Sequence, residues 1–161
     1  MKRCMSVKVL SMVFLFVFSL GFGISAYGQP SMKVEITTPE KDYLKVEKEM
    51  DVKGTATIPS GSYLWVLVHR VKGFKGLWWP QGEAEINPLT KKWEAHVVFG
   101  GPQDIGFEFE IAAIVVNETE HAKLQDYWTK AMSSGNWPPI PMPPTVPGFA
   151  PVIRKVNKTG H

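Results

Sequence analysis

The chain has 161 residues, of which 44% are hydrophobic and 20% are charged. This length suits one globular domain, and the balanced charges are unlike those of a disordered tail. The formal net charge of +3 comes from Lys2, Arg3 and Lys8, because the other 15 basic side chains are matched by 15 acidic ones. A neutral body gives no electrostatic reason to expect nucleic-acid binding, which depends on an excess of Lys and Arg.

The first 28 residues have the composition of a secretory signal peptide. A basic segment, 1–8, precedes an uncharged run of 16 residues, 9–24, and the small residues that follow predict cleavage after Ala26 or Gly28. The alternative is an uncleaved anchor, although a spanning helix needs roughly 20 residues. We therefore expect export to the periplasm or the extracellular space, with membrane contact only if the leader is retained.

The one cysteine, Cys4, lies before the apolar run, and we expect it to be removed with the leader. The mature chain then has no thiolate for zinc, for an iron–sulfur cluster or for nucleophilic catalysis. Its stability is expected to come from packing, since a chain of this size buries enough surface to form a core.

The mature part begins with a series of predicted strands. Residues 33–37 alternate polar and apolar side chains and predict an edge strand, residues 50–58 predict a second strand, and residues 63–70 predict a central strand covered on both faces. Trp65 is expected to organise the sandwich core from this central strand. Gly54 is interpreted as a position that another backbone or a large ring approaches closely.

A loop with Gly and Lys residues is predicted over 71–80, followed by a short strand at 84–86. Half-buried strands are then predicted over 92–99 and 107–116, since apolar residues recur there at every second position. The second half of the latter strand is apolar on both faces. We therefore expect something to cover both of its sides.

A change of period predicts one helix at about residues 118–133, with Asn117 as its N-cap and Gly135 as its terminator. An apolar stripe with the spacing of one helix face indicates this helix: Leu124, Tyr127, Trp128, Ala131 and Met132. We expect the helix to cover the second apolar faces of residues 63–68 and 112–116.

Seven prolines in residues 138–151 exclude a helix or a central strand and predict an extended connection. A last strand is predicted over 151–156. The predicted organisation is a signal peptide at 1–28, a β-sandwich domain at 29–156 and a polar tail at 157–161. The fold class is mainly β, with one amphipathic helix before the last strand.

The sequence contains no evident catalytic or metal-binding motif. It has no Gly-x-Ser-x-Gly, no Walker loop and no Gly-x-Gly-x-x-Gly, and the histidines are scattered at His69, His96, His121 and His161. His69 and His96 are interpreted as cross-strand polar packing, and carboxylate pairs such as Glu108 and Glu110 as solvated strand faces. We predict a protein that is not an enzyme, with no cofactor and no metal site.

Three tryptophans form the feature best suited to recognition. Trp78, Trp79 and Trp137 are predicted to lie in loop-like, proline-flanked sequence, where an exposed indole can stack on a sugar ring or anchor an interface. The competing interpretation is that they close the ends of the sandwich. They are the candidate ligand-binding residues.

The series Leu64-Trp65-Val66, Trp79-Pro80-Gln81-Gly82 and Gly106-Phe107-Glu108 resembles a loosely defined, largely uncharacterised group of bacterial exported modules with an immunoglobulin-like sandwich. The resemblance covers most of residues 33–156. It implies an immunoglobulin-like antiparallel β-sandwich and carries over no functional residue.

The expected function is an exported, non-enzymatic interaction or adhesion module of the cell envelope. Its partner would be a protein or a polysaccharide of that envelope. The alternative is a carbohydrate-binding module that uses exposed tryptophans.

Overall fold

A computed structural model describes residues 32–160, so the predicted leader lies outside the described residues. The described part has the following strands and helix in chain order: β1 (Lys33–Thr38), β2 (Leu44–Val46), β3 (Glu49–Thr57), β4 (Ser62–Arg70), β5 (Leu77–Glu83), β6 (Lys92–Val98), β7 (Glu108–Asn117), α1 (Glu118–Ser134), β8 (Ile140–Pro141) and β9 (Val152–Lys158).

The strands form two sheets that pack face to face. One sheet has the order β1-β3-β6 and the other the order β2-β9-β7-β4-β5-β8. The named strands pair antiparallel except β2, which runs parallel to β9. Here β4 and β5 extend the sheet that holds the last strand, which is the order of a variable-type immunoglobulin sandwich. The predicted fold class is confirmed: a mainly β, immunoglobulin-like sandwich with one helix before its last strands.

The main core lies between the two sheets, and the strands that line it contribute every second side chain. On β4 these inward residues are Leu64, Val66 and Val68. Trp93 enters the same core from β6 and lies against Gly54, where a Cβ would overlap the indole ring and the backbone oxygen of Glu35. The interpretation of Gly54 as a site of close approach is therefore confirmed.

The other side chains of β4 form a second core under α1. Trp65 and Leu67 pack there with residues of β7 and with Leu124 of the helix. The prediction that the helix covers the second faces of these strands is confirmed. The prediction that Trp65 organises the sandwich core is wrong, because its ring faces the helix.

The helix begins and ends where its capping residues predict. The Asn117 side chain accepts a hydrogen bond from the backbone N–H of Glu120 at 3.0 Å, and Gly135 has a φ of 70°. Met132 departs from the predicted stripe, since it is 64% exposed.

The prediction of a loop over 71–80 is wrong in its last part, because β5 already begins at Leu77. Pro80 is tolerated in this strand because it lies beside the shift in register between Val66 and Leu67 of β4. The predicted strand at 84–86 is also wrong. Within the described residues it is reduced to an isolated bridge from Ile86.

The last strand runs two residues beyond its predicted end, so the start of the predicted polar tail belongs to the sheet. Lys158 is fully buried there. Its Nζ donates to the carbonyl oxygens of Gly100, at 3.3 Å, and Gly101. These carbonyls satisfy the ammonium group, which a polar sequence alone would place in solvent.

Candidate functional site

The two sheets end next to each other at one edge of the sandwich, where residues of β5 and β6 line an opening. The smaller sheet ends at β6, and β5 has β8 as a neighbour only at Leu77 and Trp78. The opening leads into a cleft of about 910 Å³. A concave site of this size is typical of small-molecule binding.

Large aromatic side chains dominate the apolar part of the lining, and we call this site the aromatic cleft. Its apolar lining includes Val68, Phe74, Trp79, Phe109, Trp128 and Trp137. These residues come from four separate parts of the chain: the β4–β5 hairpin, β7, the helix and the proline-rich segment that follows it.

The tryptophan walls are held by contacts within the protein. The indole Nε1 of Trp79 donates to the backbone oxygen of Trp137 at 3.0 Å, and Phe74 packs edge-to-face on Trp79 at a centroid distance of 4.8 Å. Trp128 and Trp137 meet edge-to-face at 4.9 Å. The walls are therefore formed before any ligand arrives.

Tyr127 fixes the segment that carries Trp137. Its hydroxyl donates to the backbone oxygen of Pro138 at 3.0 Å, and its ring lies 6.3 Å from that of Trp137. Burial raises the pKa of Tyr127. The neutral hydroxyl is the form that can donate this hydrogen bond.

Gln81 links the two strand edges that border the cleft. Its side-chain oxygen accepts from the backbone N–H of Val98 on β6 at 2.8 Å. Its side-chain nitrogen donates to the backbone oxygen of Trp79 on β5 at 3.1 Å. Gln81 thus satisfies backbone groups that an open sheet edge would otherwise leave unpaired.

An ion pair lies at one end of the lining. Arg70 Nη1 is 2.5 Å from Asp104 Oδ1, and the guanidinium group stacks between the rings of Phe74, at 4.5 Å, and Phe107, at 4.7 Å. Asp104 also accepts from the backbone N–H of Gly101 at 2.9 Å. Each charge is therefore neutralised within the protein.

The two strand histidines form cross-strand polar contacts, as predicted. His96, at the rim of the cleft, has its Nδ1 3.0 Å from Asp51 Oδ1. The hydrogen bond to Asp51 and the nearby charge of Glu49 raise the pKa of His96. His69 is buried beside Trp78, and its Nδ1 lies 2.8 Å from the backbone oxygen of Leu77.

A separate polar cluster attaches the start of the helix to the sheet. The indole Nε1 of Trp65 donates to His121 Nδ1 at 3.1 Å, and the ring of His121 stacks on Tyr63 at 3.6 Å. The Tyr63 hydroxyl donates to Glu118 at 2.5 Å, and this bond raises the pKa of Tyr63. The cluster holds the helix over Trp65.

The structure divides the three predicted site residues. Trp79 and Trp137 lie together in the cleft, but Trp78 does not, since it is 7% exposed and packs on the helix side of the sheet. Their predicted placement in loops is wrong for Trp78 and Trp79, which are neighbours on a strand and must point to opposite faces. Sequence reasoning also missed Trp128 and the Arg70 ion pair. The helical spacing of Trp128 gave it a structural explanation, and only the folded chain brings Arg70 to its partner.

Within residues 32–160, no three or more His, Cys, Asp and Glu side chains are grouped in a way that could hold a metal ion. No helix in that part of the chain combines the length and apolarity needed to cross a membrane.

Comparisons with known proteins find similarity among solved structures but not among sequences. No protein-family model matches the chain, and no curated protein matches it. Among solved structures, the chain is similar to murine CRIg over 83% of its own length and 99% of that chain, at 8% sequence identity and a TM-score of 0.28. A similarity at this level does not establish the fold, and the immunoglobulin-like fold is assigned from the strand order.

Proposed function

We propose that the chain is an exported, non-enzymatic interaction module of the cell envelope and that it binds its partner through the aromatic cleft. The observation that carries this proposal is the cleft itself, a concavity of about 910 Å³ walled by Trp79, Trp128 and Trp137. Sites that bind other molecules are typically concave and apolar, with a few polar groups at fixed positions. The cleft has each of these properties.

The leader supports the exported part of the proposal. A basic start, an apolar run and small residues before the described domain are the features that a signal peptidase substrate needs. The resemblance to exported sandwich modules points to the same compartment.

The lining supports a binding role over a catalytic one. The carboxylate in the lining, that of Asp104, is paired with Arg70 and also accepts a backbone N–H. The imidazole of His96, at the rim, is bonded to Asp51. A general acid or base must instead be free to exchange a proton with a bound substrate.

Carbohydrate binding is the second candidate function. Trp79 and Trp137 line one cleft, which gives a sugar ring two indole surfaces to contact. Trp78 cannot take part, because it is buried on the opposite face of β5.

Variants of the two cleft tryptophans, with Trp78 as a control outside the cleft, test the proposed binding site. The full chain, Trp79→Ala, Trp137→Ala and the matched control Trp78→Ala are compared for binding to envelope protein, lipid and polysaccharide fractions, with circular dichroism to check folding. We expect binding to fall at least tenfold for Trp79→Ala and Trp137→Ala and to persist in the folded fraction of Trp78→Ala. Equal binding by all four proteins would contradict the proposed site.

Export is tested by cell fractionation and N-terminal sequencing after expression of the full chain in a bacterial host. We expect an exported product that begins after Ala26 or Gly28. An unprocessed product in the cytoplasm would contradict export.

A further inference from the structure

We infer that the aromatic cleft takes a neutral, apolar small molecule with a flat ring system, and this inference rests on the proposed function of the cleft as the binding site. Its lining brings three indoles and a phenyl ring together over an apolar floor of Val68 and Phe109. Ring faces and aliphatic groups attract other flat apolar surfaces through dispersion and removal of water.

The polar groups of the cleft already bond to each other, which disfavours a sugar. The Trp79 indole N–H is donated to Trp137, and both ends of the Gln81 amide are used by backbone groups. The Gln103 amide nitrogen, at the far end, donates to Asp104 at 3.1 Å. A bound sugar would have to bury hydroxyl groups without partners or break these bonds.

The charges of the lining also cancel, which disfavours an ion. The positive charge of Arg70 is held against Asp104 at 2.5 Å, and neither side chain is well exposed. His96, at the rim, lies 3.0 Å from Asp51 and 3.7 Å from Glu49. A charged ligand would lose its hydration in the cleft and find the charges of the lining already paired. A neutral ligand avoids this loss.

Met132 gives the cleft an adaptable entrance. It is 64% exposed, although it lies on the apolar stripe of α1, and it lines the cleft near Trp128 and Trp137. The unbranched thioether side chain of Met adapts to ligands of different shape. An apolar ligand in the cleft would contact this exposed apolar side chain.

A matched pair of fluorescent probes tests the inferred ligand class. N-phenyl-1-naphthylamine is neutral, and 8-anilino-1-naphthalenesulfonate has the same ring system with an added sulfonate. The protein purified after expression of the full chain is titrated with each probe and, separately, with maltotriose and cellotriose. We expect saturable binding of one neutral probe per chain, at least tenfold weaker binding of the sulfonate, and no displacement of the neutral probe by either sugar.

A cleft-filling variant shows where the probe binds. Val98→Trp places a large side chain in the lining, whereas Ile153→Trp adds the same side chain at an exposed position of β9 outside it. We expect Val98→Trp to weaken binding of the neutral probe at least tenfold and Ile153→Trp to leave it unchanged. Should Val98→Trp fail to fold, Met132→Trp narrows the same cleft from the exposed side of the helix.

The outcomes separate this inference from the proposed function. Equal affinity for the two probes, failure of the neutral probe to bind, or neutral-probe binding unaffected by the folded cleft variant would overturn the inferred ligand class. If a sugar or the anionic probe binds instead and the cleft variant blocks it, the cleft remains the binding site and the ligand class alone is wrong. If the cleft variant changes binding of none of these molecules, both proposals fail.

Discussion

Two regions of the six-stranded sheet are rich in tryptophan, yet the face under α1 is closed and the edge at β5 is open. Under α1, Trp65 is 2% exposed and its indole N–H is bonded to His121. At the β5–β6 edge, Trp79 and Trp137 are bonded to each other but line a cleft of about 910 Å³. The difference is how the helix packs: its Leu124 closes over Trp65, whereas its Trp128 forms only one wall of the cleft.

Some aromatic residues of this protein are buried in a core, and others are accessible to a ligand. Trp78 and Trp79 are adjacent in sequence, but the alternation of a strand sends one under the helix and the other into the cleft. Residue type alone therefore does not distinguish a core tryptophan from a binding tryptophan. The element that packs over each face of the strand distinguishes them.

The largest expected effect is on the closed side, at Trp65. We expect Trp65→Ala to lower the free energy of unfolding by about 3–5 kcal/mol, because it leaves a cavity beneath the helix. Trp65→Phe is the control, since it keeps most of the ring volume and removes the bond to His121. Urea unfolding measures both, and a loss below about 1 kcal/mol for Trp65→Ala would contradict close packing under the helix.

The adjacent tryptophan on the open side should matter less for stability. We expect Trp79→Ala to cost about 1–2 kcal/mol, because this half-buried side chain loses less buried area than Trp65. The comparison is made by urea unfolding under identical conditions. A cost equal to that of Trp65→Ala would mean that the cleft is as tightly packed as the helix side.

Removing the N-cap side chain destabilises the first turn of the helix that covers Trp65. Asn117→Ala should lower the free energy of unfolding by about 1 kcal/mol, because the backbone N–H of Glu120 loses its acceptor. Asn117→Asp is the control that keeps an acceptor oxygen. Hydrogen exchange of the first helical turn should accelerate in the alanine variant alone, and unchanged exchange would contradict the capping role.

The smallest expected effect is a pH dependence at the rim. The pKa of His96 is raised by its hydrogen bond to Asp51, so its contribution is fully present below the unfolded-state pKa of about 6.5 and is lost as the pH rises through the raised value. Because the pair is exposed, the contribution is about 0.2–1 kcal/mol at most.

The free energy of unfolding of the wild type and of His96→Gln, measured from pH 5 to about 9, gives this contribution. We expect the two proteins to differ at the acid end and to converge at the alkaline end. Parallel curves over the whole range would rule out the ion pair as a source of stability.

Local pattern predicted the parts of the fold whose sequence repeats with a regular period. Residues 63–70 and 107–116 revealed apolar faces on both sides of their strands, and the capping residues Asn117 and Gly135 placed the helix ends. β5 was missed because Pro80 interrupts its pattern and because pairing with β4 determines it. Local sequence contains neither the register shift nor the partner strand.

The sequence predicted two of the cleft's wall residues, Trp79 and Trp137, but not the cleft itself, because its residues meet only in the folded chain. Trp79 and Trp137 are 58 residues apart and are brought together by the helix and the proline-rich return. Lys158 is a similar case, since two carbonyls from a distant loop allow its burial. Such contacts depend on topology rather than on residue type.

The indole N–H signals of the six tryptophans test the account most directly. Each signal reports one ring in a ¹H–¹⁵N spectrum, recorded while the neutral probe N-phenyl-1-naphthylamine is added. We predict that the signals of Trp79, Trp128 and Trp137 shift together and saturate, while those of the other three tryptophans stay in place. Shifts confined to the other three, or no saturable shift at all, would contradict an open aromatic cleft that binds an apolar ligand.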